Sequence, residues 1–188
     1  FGVGGGVFRM NKTIVLVGFM GSGKSRLGEY AAKRLGLGFA DTDLLVEKTA
    51  GMSIRDIFAS QGEEAFRKLE TETLRQCCLE GEMLLATGGG IVKSQDNLNL
   101  IRSLGGRIVW LKATPQQIYE RLRNDETRPL LADVQGEARR ERIESMMNDR
   151  EILYRTAADL VFDEQGIPVR ELGECFTAWL NEKIMEKD

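Results

Sequence analysis

The stretch LVGFMGSGKS, residues 16–25, decides how this chain is read. Gly18 to Ser25 fit G-x-x-x-x-G-K-[ST] at every specified position. The pattern follows a short β-branched run, KTIVLV at 12–17, and opens SRLGEYAAKRLG at 25–36, where Leu27, Ala31 and Leu35 recur on one helical face before Gly36. Strand before and helix after is the context a phosphate-binding loop requires. Gly21 and Gly23 let the backbone curl until its N–H groups, that of Ser22 among them, point inward at phosphate oxygens. The helix start adds partial positive charge. Lys24 is placed to reach the β- and γ-phosphates of a nucleotide, and Ser25 to offer its hydroxyl to Mg²⁺. A chance glycine turn is the competing reading, and both flanks argue against it.

Outward from this loop, apolar strand-like runs alternate with helical ones. GFADTD reads as the end of a second strand, MLLAT (83–87) as a third, RIVWLKA (107–113) as a fourth and ADLVF (158–162) as a last. Residues 53–80 read as helices broken near Gln61 and Gly62. Thr114 is a natural N-cap and Pro115 suits the first turn of TPQQIYERLR. Residues 124–136 are polar and turn-rich, a charged helix EARRERIESMMNDREILY follows, and VRELGECFTAWLNEKIM reads as a C-terminal helix. The alternation predicts an α/β domain of three layers: parallel strands, right-handed crossovers and helices on both faces. Ligands of such sheets sit beyond the carboxyl ends of the strands, where GFMGSGKS, DTD and GGG all fall.

The chain has 188 residues, the size of one ordinary domain, and a net charge of −3. No global basic field draws it to nucleic acid. No apolar run approaches the ~18 residues of a membrane span, and FGVGGGVFR at the start has no signal-peptide core. Residues 1–9 are expected to be a cloning remnant or a loose leader, with Met10 as a plausible start. Cys77, Cys78 and Cys175 form neither a disulfide framework nor a zinc pattern and suit a reducing, cytoplasmic setting. There is no histidine, so a proton acceptor must be a carboxylate or another group.

Two carboxylates, Asp41 and Asp43, stand at the presumed strand end. Strand alternation would turn both to one side, where one could steady Mg²⁺ and the other accept a hydroxyl proton. The plainer reading is a solvated acidic turn. In GEEAFRKLE (62–70), Arg67 and Glu70 are three apart: a surface ion pair, or an arginine fork for an acceptor carboxylate. Gly88, Gly89 and Gly90 after a strand allow close approach of backbone to an anion or hydroxyl, or form an ordinary turn. Arg128, in TRPLL, is either a plain loop arginine or one that closes over the transferring phosphoryl group. Arg150 and Tyr154 would otherwise pass for a surface pair.

In this order and spacing, GFMGSGKS, DTD, GEEAFRKLE, ATGGG, TRPLL and REILY resemble the shikimate kinase family over nearly the whole chain from Met10. The resemblance implies a nucleoside-monophosphate-kinase-type fold with a five-stranded parallel sheet, a substrate-binding region at about 41–70 and a lid at about 124–136, all in one domain, 10–188. It implies transfer of the γ-phosphate of ATP to the 3-hydroxyl of shikimate, within aromatic amino acid synthesis. Gly21, Ser22, Gly23, Lys24, Ser25 and Arg26 would then hold the phosphates, with one Mg²⁺ on Ser25 and, through water, Asp41. Asp43 would bind the shikimate hydroxyls and act as base. Arg67 and Arg150 would grip the carboxylate beside Gly88, Gly89 and Gly90. Arg128 would meet the phosphates, and Arg121 and Pro168 the adenine. A monomer acting on small molecules is expected.

One segment departs from the family. Its adenine loop often carries arginine, and DEQGIP, 163–168, has none. Gluconate kinases pair their acidic motif with a histidine that this chain lacks, and nucleotide kinases carry other arginine motifs. A non-catalytic relative would be expected to have lost Lys24, Asp43 or Arg128, and all are present.

Overall fold

A computed structural model describes residues 13–125 and 129–185. Five strands lie parallel in the order β2-β3-β1-β4-β5: β1 (Ile14–Val17), β2 (Gly38–Asp41), β3 (Met83–Ala86), β4 (Arg107–Lys112) and β5 (Leu160–Asp163). β1 sits in the middle with every residue buried. That explains a run apolar on both faces: a central parallel strand meets helices on either side. Val15, Val17, Leu85, Ile108 and Trp110 face one layer, α3 (Ile54–Glu80), α4 (Gln95–Ser103) and α6 (Gly136–Ala157). Their neighbours Ile14, Leu16, Leu84, Val109 and Leu111 face the other, α1 (Lys24–Leu35) and α7 (Leu172–Leu180). The three-layer expectation holds.

The helix signals are realised in detail. Gly36 ends α1 in the left-handed conformation. Thr114 caps α5 (Pro115–Leu122) with a reciprocal capping box to Gln117. Gly62 breaks α3 with φ 83° and ψ 173°, a conformation that favours glycine. Beyond the break, Phe66 packs with Ile57 and with Val46 of α2 (Thr42–Ala50), forming a small separate core beside the sheet edge. The helices α2 and α4 have no counterpart in the sequence reading. Both are short and begin on polar caps, Asp41 and Ser94.

The acidic turn requires a correction. β2 ends at Asp41, and Thr42 and Asp43 already belong to α2. Strand alternation therefore does not orient the two carboxylates; a helix cap does. Of the region read as a lid, a 3-10 turn, Pro129–Leu131, is described. Arg128 lies outside the described residues, as do residues 1–12. Arg139 is buried and donates to the carbonyls of Leu122, Arg123, Leu131 and Val134, tying the end of α5 to that turn. Among the described residues no helix is long and apolar enough to cross a membrane.

Candidate active site

The phosphate loop leaves the carboxyl end of β1 and enters α1. Its first turn carries no acidic residue and its N-cap, Gly23, offers no side-chain cap. No side chain there competes with an anion for the start of the helix, and the helix dipole favours negative charge. Gly21 sits at φ +76°, and an added Cβ would lie 3.1 Å from Leu122, so the loop tip rests directly on α5. Lys24 Nζ donates to the carbonyls of Gly18 (2.9 Å) and Phe19 (3.0 Å), which holds the ammonium across the mouth of the loop.

Asp41 joins this loop to the acceptor side. One carboxylate oxygen accepts from the amides of Asp43 (3.1 Å) and Leu44 (3.4 Å), capping α2. The other accepts from the Ser25 hydroxyl at 2.5 Å. The cap places Asp43 in the first turn of α2, turned toward the glycine turn after β3. A Cβ on Gly88 would stand 2.8 Å from its carboxylate, so only glycine leaves Asp43 this room. Burial first, then the charges of Asp41 and Glu70, push the Asp43 carboxyl up to about 6; Lys24 pulls against them. A carboxylate so tuned accepts protons near neutral pH.

The glycine turn is flanked by two arginines. Arg67 lies over Gly90, where an added Cβ would be 3.1 Å from its guanidinium. On the other side, Arg150 lies 3.5 Å from such a position on Gly89, over the Phe19 ring. Tyr154 donates to the Gly89 carbonyl at 3.2 Å. Arg67 is more than a surface pair. Its Nη1 meets Glu70 at 2.9 Å, and the Glu70 side chain is only 2% exposed. Nη2 and Nε both meet Glu63. One N–H on each terminal nitrogen has no carboxylate partner among the described residues. Burial raises the Glu70 carboxyl above its usual range despite the arginine.

Gly21, Lys24, Ser25, Asp41, Asp43, Thr87, Gly88, Gly89, Gly90 and Arg150 line one open cleft of about 600 Å³. Arg67 lies at the edge of this cleft, against Gly90. A second cleft opens across the phosphate loop. Arg26 borders both, and Ser22, Tyr30, Arg121, Glu164 and Val169 line the second. Pro168 is exposed on the neighbouring loop, and Val169 takes its place in the wall. Sequence reasoning missed Glu164. Nothing local marks an acid in DEQGIP as one that would be buried against an arginine of another helix.

An anion-binding loop facing a carboxylate poised near neutrality, beyond the carboxyl ends of a parallel sheet, assigns the chain to the P-loop phosphotransferases. Comparison with known proteins narrows the class. The family model for shikimate kinase matches residues 20–181. The shikimate kinase of Moorella thermoacetica is 39% identical over 175 residues, covering 91% of this chain and 98% of that one. That of Geobacter metallireducens is 41% identical over 169 residues, covering 90% and 92%. The chain belongs to the shikimate kinase family. Among solved structures, shikimate kinase from Acinetobacter baumannii in complex with shikimate superposes with a TM-score of 0.76 at 31% identity, covering 92% of this chain and 94% of that one. Shikimate kinase from Bacteroides thetaiotaomicron gives 0.81 at 29%, covering 90% and 96%.

Proposed function

We propose that this protein transfers the γ-phosphoryl group of ATP to the 3-hydroxyl of shikimate, giving shikimate 3-phosphate and ADP. The observation that carries this reading is Asp43, raised to about 6 and set against Gly88 in the cleft that also holds Lys24. Asp43 takes the hydroxyl proton as the oxygen attacks. The new O–P bond forms as the bond to the β-phosphate oxygen breaks, and ADP leaves with that electron pair. Lys24 and the loop amides stabilise charge on the β- and γ-phosphates. Arg67 and Arg150, on either side of the glycine turn, hold the shikimate carboxylate. Arg128 completes the phosphate side.

The paired oxygens of Ser25 and Asp41 suit a Mg²⁺ ion, a hard cation that keeps several waters and takes few protein ligands besides substrate phosphates. Ser25 would ligate it directly and Asp41 through water; bound, it would neutralise developing phosphate charge. Residues 10–188 act as one domain, monomeric and cytoplasmic, on small molecules rather than nucleic acid or membrane.

The reading is tested by ADP release from Mg-ATP with shikimate, with gluconate, with a nucleoside monophosphate and with no acceptor. A large rise with shikimate alone is expected. Equal rates in all four would sink the acceptor assignment.

The pH profile follows from Asp43. Below about 6 its carboxyl is protonated and cannot accept the hydroxyl proton. The kcat/KM for shikimate should therefore fall tenfold per pH unit as pH drops through that value. A profile flat from pH 7 to 5 would remove Asp43 as base.

Arg67→Ala should raise the shikimate KM by roughly tenfold to a hundredfold, the range for a charge-assisted hydrogen bond. It also strands Glu70 in a dry site, so thermal stability should fall as well. Because the Glu70 carboxyl is already raised, protonation relieves that cost, and the loss of Tm should be smaller at pH 5 than at pH 8. An unchanged KM would take Arg67 out of the site.

A further inference from the structure

The second cleft contains a charged pair that the phosphate chemistry leaves unused. Arg121 Nη1 stands 2.8 Å from Glu164 Oε1, an ion pair in which that oxygen accepts no aligned hydrogen bond, with the Glu164 side chain 3% exposed. The same nitrogen donates to the Gly21 carbonyl at 3.1 Å, at the tip of the phosphate loop. Glu164 is itself anchored. Its amide donates to the Lys112 carbonyl at the end of β4, and its carbonyl accepts from Ile167. The backbone at Glu164 is thus fixed just beyond β5, and one nitrogen of Arg121 meets both its carboxylate and the phosphate loop.

A nucleotide whose phosphates fill the loop must send its nucleoside to one side. The acceptor cleft takes the side of Asp43 and the glycine turn. The cleft of Arg26, Tyr30, Arg121 and Val169 takes the other. Arginine has many rotamers, and a free one beside a phosphate loop would fold onto the phosphates. We infer that Glu164 is a positioning residue for nucleotide binding: it holds the Arg121 guanidinium away from the phosphates and presents it to the nucleoside. The buried carboxylate supplies, from the arginine-free segment 163–168, an anchor where the segment offers no cation of its own. The inference rests on the kinase reading above, because it places ATP in this loop.

The test compares Glu164→Ala, Glu164→Gln, Arg121→Ala and the Ala/Ala double variant, by ADP titration calorimetry, steady-state kinetics and melting. Glu164→Ala should weaken ADP binding and raise the ATP KM about tenfold, because the guanidinium loses the ion pair that holds it. Its shikimate KM should stay within about twofold of wild type. Glu164→Gln keeps the shape and loses the charge that holds Arg121, so it should weaken ADP binding several-fold, and it carries the comparison if the alanine variant does not fold. In the Arg121→Ala background, Glu164→Ala should add nothing. A loss that persists in that background, a loss shared equally by shikimate, or ADP affinity equal to wild type in both Glu164 variants would each overturn the inference. Wild-type protein that binds ADP but does not phosphorylate shikimate would sink the proposed activity and leave this binding test intact.

Discussion

Asp43→Asn is expected to lower kcat by about 10²–10⁴-fold, the usual contribution of a positioned general base. ADP affinity should change little, because the phosphate loop and α1 are untouched. The acid limb near pH 6 should vanish from what activity remains. Stability supplies a second readout of opposite sign. A carboxyl raised to about 6 in the folded protein binds more protons there than in the unfolded chain between its ordinary value and 6. That interaction is at its most costly above pH 6 and disappears below the unfolded value. Asparagine carries no charge to bury. The variant should therefore melt above wild type at pH 7.5, with the gap closing toward pH 4. Lost turnover with raised Tm would exclude misfolding as the cause. Turnover near wild type would remove Asp43 from the base role.

Lys24→Met should cost about 10²–10³-fold in kcat, the scale for losing one preorganised donor to developing charge. ATP binding should weaken too, since the proposed contact of the lysine with the phosphates would serve ground and transition states alike. The substitution also acts on Asp43. Lys24 opposes the upward shift of that carboxyl. Without it the residual acid limb should move to higher pH than in wild type. A limb that stays in place would mean that the two groups are electrostatically independent, contrary to the cleft geometry. A kcat within a few fold of wild type would remove Lys24 from the transferring phosphoryl group.

Much of the architecture is legible along the chain because its signals are short-range. Gly36 and Thr114 end and begin helices through their own backbone conformation or side-chain caps. Gly62 breaks α3 where only a positive φ serves. The acidic turn is instructive. Asp41 and Asp43 line one cleft, but the pleat is not the reason; Asp41 ends the strand and caps the next helix. An Asp in such a position suits a turn, a strand end and an N-cap alike, so composition does not decide among them.

By itself the sequence determined the phosphate loop, the alternation of strands and helices, and the set of motifs by which the family is recognised. Each depends on residues close together in the chain and on backbone preferences that persist in isolation. Only the tertiary structure decided which groups are buried and whom they meet. Arg67 and Glu70 look like any exposed helical pair until packing removes Glu70 from water. Asp43 acquires its raised pKa only when Gly88, Asp41 and Glu70 crowd it from other elements. Arg121 and Glu164 come together because β5, which ends just before Glu164, pairs with β4, which ends just before α5. Desolvation and charge–charge coupling depend on distance through space, and that distance is set by the fold.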